Sequence, residues 1–167
     1  MNNLTHRFSR LLLVMTLLVF VAACDSNDDE EQQQLANGFM NARIEGQSWN
    51  ANVTVFAIAQ GGVFGVSGAD ASGKTIGLGG LAQLGPQTIG PTSPANATYS
   101  ETAGATVVQW SAGIAAGSGT ITVTELDGTH IAGTFSYVAE ASATTGATGT
   151  KTITEGSFDI KLGSIDQ

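Results

Sequence analysis

The residues Gly68–Thr75, GADASGKT, fit the phosphate-loop pattern G-x-x-x-x-G-K-[ST] at every fixed position. Such a loop aims backbone N–H groups and a helix N-terminus at an anion, and its lysine neutralises the charge. Lys74 would therefore have to open a helix. Thr75 is followed by IGLGGLAQLGP, with four glycines ahead of the proline, and each glycine costs about 1 kcal/mol in a helix interior. Ile76 and Leu78 alternate as in a strand. The segment reads as a hairpin turn with a glycine in the left-handed region. GLGGLA (77–82), an echo of the dinucleotide fingerprint, fails for the same reason.

Acid–base and nucleophilic chemistry need convergent groups. His130 is the one histidine outside the first ten residues, and it lies beside a turn. No second histidine is at hand for a zinc site. Glu125 and Asp127 are a candidate carboxylate pair, but a strand end in solvent suits them without catalysis. DASG (70–73) and DGT (127–129) offer oxygen ligands without the dense acidic spacing of a calcium loop. No metal or cofactor is expected. Trp49, Tyr99, Trp110 and Tyr137 have two readings. They can form a sugar-stacking platform, or they can fill the core of a chain with only 7% aromatic residues.

The remaining reactive group is the lone thiol, Cys24. Before it stand a basic stretch with Arg7 and Arg10, then LLLVMTLLVFVAA, Leu11 to Ala23. These are the n- and h-regions of a secretory signal. The apolar run is shorter than the roughly 20 residues of a membrane-spanning helix. Val21, Ala22, Ala23 and Cys24 resemble the lipobox of bacterial lipoproteins. That resemblance implies a diacylglycerol thioether on Cys24, cleavage before it and an acylated amine. Several acyl chains anchor stably where one does not. Asn52-Val53-Thr54 and Asn96-Ala97-Thr98 fit a glycosylation sequon, which means little in a bacterium.

After Cys24 comes DSNDDEEQQQLANG, residues 25–38, with five acids and three glutamines. The composition is that of a disordered tether, reaching roughly 40 Å when extended. The acids resemble the export signal of surface lipoproteins in Bacteroidota-type bacteria, whereas Asp25 beside the cysteine resembles an inner-membrane retention signal. The outer membrane or cell surface is the favoured expectation. The organisation is thus a signal peptide at 1–23, a tether at 24–37 and a β domain at 38–167.

The formal net charge is −8, a poor match to phosphate backbones, so no nucleic-acid partner is expected. Charged residues make up 12%, about half the usual share. Past the tether the pattern has a period of two with glycine punctuation. Strands are expected at 39–45, 52–59, 63–70, 75–81, 97–100, 105–112, 119–126, 130–138, 150–154 and 156–162. GQSWNA (46–51) reads as a turn, and 82–95, holding all three prolines, as a long loop. NVTVFAIA (52–59) is apolar on both faces, as a central strand would be. Phe56 and Ile58, opposite Val53, Val55 and Ala57, then need a second covering layer or a cavity. About nine to ten antiparallel strands indicate an all-β sandwich or barrel.

MNARIEGQSWNA (40–51), WSAGIAAGSGTITVTELDGTHIAGTFSYVA (110–139) and TITEGSFDIKL (152–162) resemble a family of small Bacteroidota-type lipoproteins of unknown function. The shared motifs are strand and turn residues. They imply a common fold and offer no catalytic residue. The expectation is a lipid-anchored, non-catalytic envelope protein with a structural or interaction role and an envelope protein or glycan as partner. A binding module for a glycan or a small apolar ligand is the alternative.

Overall fold

The computed structural model describes residues 35–163. The segment read as a signal peptide, Cys24 and most of the tether lie outside the described residues. Strand follows strand: β1 (Gly38–Ile44), β2 (Gln47–Asn50), β3 (Thr54–Gln60), β4 (Val63–Ala69), β5 (Thr75–Leu81), β6 (Gly85–Ile89), β7 (Asn96–Ala103), β8 (Thr106–Ala112), β9 (Ser118–Leu126), β10 (His130–Ala141) and β11 (Thr150–Lys161). Among the described residues there is no helix. The named strands pair antiparallel in the order β2-β1-β11-β10-β8-β7-β5-β4-β3, with β9 attached to β10 and β6 to β9. The sheet does not close into a barrel. It folds on itself as a sandwich.

The fold turns on β8 and β9, which lie end to end along one side of β10. Ser111 pairs with Glu140, and Ser118 pairs with Val138. The first part of β10 thus belongs to the layer β2-β1-β11-β10-β9-β6, and its last residues to the layer built on β8, β7, β5, β4 and β3. Strict alternation in β10 supports this placement. Ile131, Phe135, Tyr137 and Ala139 are buried, while Thr134, Ser136, Val138 and Glu140 are exposed. The layers approach closely at Gly68 of β4, where an added Cβ would sit 2.8 Å from Ala51 Cβ and 3.1 Å from Met40 Sδ. The Tyr137 hydroxyl crosses from β10 to donate to the Thr98 carbonyl of β7 at 2.9 Å.

The structure departs from the sequence expectations in four places. The turn near 46 is only Glu45–Gly46, both with positive φ (51° and 78°), so QSWN is a strand paired with β1. The pattern is that of a type I′ hairpin turn with glutamate in a position that usually takes Asn or Gly. The 82–95 loop contains β6, and Pro86 lies within it. Proline is tolerated because β6 pairs only with β9 and has a free edge. The two closing strands are one, β11, with a bulge where Glu155 takes a φ of 51°. Finally, β3 is not central. It ends the strand path, Phe56 is 52% exposed, and beyond β4 its only ladder contact among the described residues is one parallel bridge from Ala57 to Leu162. Phe56 therefore has no covering layer among the described residues.

Core burial should dominate stability. Phe158 is 2% exposed and its ring lies 6.3 Å from that of Phe135, so Phe158→Ala should cost about 3–5 kcal/mol. Gly156 lies against the same Phe135 ring, which a methyl group there would overlap. Gly156→Ala should cost about 1–3 kcal/mol through overpacking. Thr134→Ala, on the exposed face, should stay within about 0.5 kcal/mol. Urea unfolding of the three variants checks the ranking.

Candidate functional site

The phosphate-loop residues form the β4–β5 hairpin turn. Asp70 Oδ1 accepts from the backbone N–H of Ser72 at 2.9 Å and of Lys74 at 2.8 Å, and from the Ser72 hydroxyl. Gly73 has a φ of 80°, and Thr75 opens a strand. A carboxylate thus occupies the N–H groups that would face a phosphate, and no helix follows. The expectation of a hairpin turn with a left-handed glycine holds.

The four candidate platform aromatics are all core residues. Trp49, Trp110, Tyr99 and Tyr137 are between 0% and 5% exposed. Stacking on a sugar requires an open ring face, so these rings do not form a surface platform. Trp110 Nε1 donates to the Thr148 carbonyl at 3.1 Å, and Trp49 Nε1 has no hydrogen-bond partner among the described residues. Burial raises the Tyr137 hydroxyl well above its ordinary pKa.

Two charged clusters mark opposite ends of β10 and β11. At the Lys151 end, Lys151 Nζ lies 2.9 Å from Glu101 Oε1 and 4.7 Å from the Trp110 ring centroid. The Tyr99 hydroxyl donates to the same carboxylate oxygen at 2.7 Å. Burial pushes the Glu101 carboxyl up, but the hydrogen bonds from Tyr99 and Lys151 and the lysine charge outweigh it, leaving Glu101 below its ordinary value. Burial, then the Glu101 hydrogen bond and charge, push Tyr99 the other way. At the other end, His130 Nε2 lies 2.9 Å from Asp159 and 3.7 Å from Glu125, and Nδ1 lies 3.9 Å from Asp127. Asp127 is held below its ordinary pKa by the Thr129 hydroxyl and N–H and by the His130 N–H. Among the described residues no three His, Cys, Asp or Glu side chains are grouped to hold a metal ion. The His130 cluster ties β10 to its neighbour β11, and the Lys151 cluster ties β11 to β7 of the other layer.

The feature that sequence reasoning missed is a cavity of about 480 Å3 where residues 113–117 leave the sheet between β8 and β9. Its walls are the ends of β7, β8 and β10 and the loops that follow β8 and β10. The excursion GIAAG closes on itself through Gly113 N–H to the Ala116 carbonyl at 2.7 Å. It is pinned by Gly117 N–H to Glu140 Oε1 at 3.3 Å. Gly117 has a φ of 73°, and a Cβ there would meet the Val138 carbonyl oxygen at 2.6 Å, so the site requires glycine. A glycine-flanked apolar pentapeptide between two strands was the available signal, but it has no periodicity that reveals a concavity.

A family model described as a domain of unknown function, DUF6252, matches residues 36–159. The chain belongs to the DUF6252 family. The match runs across β1 to β10 and most of β11, and so takes in the cavity and both charged clusters. Cys24 lies outside the matched residues. No curated protein and no solved structure matches the chain.

The depressed Glu101 carboxyl makes a pH prediction. In acid the unfolded chain binds a proton that the folded chain resists, so the stabilisation is complete above the ordinary glutamate pKa of about 4.3. It is lost as pH falls through the lower folded value. Glu101→Gln should lower the urea midpoint at pH 6 and give a shallower loss of stability between pH 6 and pH 3 than the wild type. Parallel slopes for the two proteins would contradict the assignment.

Proposed function

We propose that this DUF6252 protein is a lipid-anchored, non-catalytic component of a bacterial cell envelope, with a structural or interaction role. The observation that carries the reading is the junction at Cys24. A basic start, a short apolar run and small residues end at the only cysteine, and an acidic tether follows. The resemblance to small Bacteroidota-type lipoproteins of unknown function supports the same reading and favours the outer membrane or cell surface. The charged groups of the body support a non-catalytic role, since Glu101 and Lys151 engage each other and Asp159 engages His130.

The alternative, a binding module for a small apolar ligand, is favoured by the cavity at the β8–β9 break. A glycan platform on the four aromatics loses its support with their burial.

Metabolic labelling with an alkyne fatty acid tests the anchor. The wild type should carry the label and fractionate with membranes. Cys24→Ser should carry none and appear in the soluble fraction. Equal labelling of both would remove Cys24 as the lipid site.

A further inference from the structure

The cavity between residues 113–117 and the end of β10 has a specific chemical character. Its volume of about 480 Å3 falls within the range of small-molecule sites. The lining mixes small apolar side chains, among them Ala116, Ala141 and Ala143, with the uncharged polar Asn96, Ser111 and Ser142. Ile114 stands at its margin 73% exposed. An isoleucine on a glycine-flanked excursion is the kind of apolar side chain that a guest would cover.

Glu140 is the one ionisable group among the lining residues. Its carboxylate is held in place by the Gly117 N–H, so one negative charge sits at the edge of a hollow whose other lining side chains are uncharged. That combination selects against anionic amphiphiles, because a guest carboxylate would face Glu140 without a cation. It favours a guest whose apolar body fills the alanine-lined space while a positive hydrogen-bond donor reaches Glu140.

We infer that this cavity is a binding site for a small apolar molecule bearing an ammonium group, with Glu140 as counter-charge and Ile114 as the apolar contact at its margin. The site stands independently of lipid attachment at Cys24, so each can fail without the other.

The test follows methyl resonances of the full-length chain, labelled at isoleucine, during titration with 2-phenylethylammonium. 3-Phenylpropionate serves as the probe of similar size and opposite charge. The ammonium probe should shift the Ile114 methyl saturably and leave Ile44 unmoved, and the carboxylate probe should not. Glu140→Gln, which keeps an acceptor for Gly117, should weaken the ammonium probe by up to about fivefold, the effect of losing one partly exposed ion pair. Ala143→Trp places a large side chain at an exposed lining position and should abolish the shift while the Ile44 signal reports an intact fold. No saturable shift at Ile114, equal binding of the two probes, or unchanged affinity in Glu140→Gln would each overturn the proposal.

Discussion

The ladder between β10 and β11 is the constraint on which the rest of the molecule depends. Both strands are twelve residues long, and ten residue pairs join them across one bulge. Strands of that length extend beyond the width of one layer, so their two ends serve different layers of the sandwich. The bulge at Glu155 accommodates the bend, since an extra residue on one strand raises local twist and turns its direction. Gly156, directly after it, leaves room for the Phe135 ring. β1, β9 and β8 then take their register from this pair, and their partners follow outward.

Charge is used sparingly and near the ends of that ladder. His130 reaches Asp159 across the β10–β11 pair. Lys151, at the far end of β11, reaches Glu101 of β7 in the other layer. Neither pair is fully buried, which limits the desolvation penalty that makes interior ion pairs poor stabilisers. Between the ends, the outward side of β9 and β10 is hydroxylated, with Thr122 opposite Thr134 and Thr120 opposite Ser136. Inside, the one buried polar side chain among the described residues is Gln87. Its amide both accepts from the Leu81 N–H and donates to the Leu81 carbonyl, each at 2.8 Å. In that way β6 joins the end of β5 through a side chain acting as a substitute for a strand.

Sequence periodicity revealed the class of fold because most strands bury one face. In β9 and β10, Ile121, Val123, Ile131, Phe135 and Tyr137 alternate with hydroxyl residues, and the strands appear almost where the pattern places them. The misreadings have separate causes. β2 and β6 are short and carry few apolar residues, and their positions rest on backbone pairing to one neighbour. β3 misled because Phe56 is apolar yet exposed and Ile58 only half-buried, and burial is a property of the assembled layers that no local pattern contains. The aromatic residues were legible as apolar mass, but core and platform differ only in what stands in front of the ring. The cavity was illegible because it is formed by an absence of sheet.

That absence follows from the same ladder. β10 needs one neighbour on its early half and another at its end, and the chain supplies both in a single pass by leaving the sheet between Ala112 and Ser118. The hollow is therefore a consequence of how the two layers share one strand. Its position is also fixed relative to the start of the body. Asn37 accepts from the Lys161 N–H, which places the incoming chain beside His130, because His130 pairs with Lys161. Glu140 lies ten residues further along β10, at most about 33 Å away at 3.3 Å per residue. The entry of the described chain and the hollow thus lie toward opposite ends of one ladder.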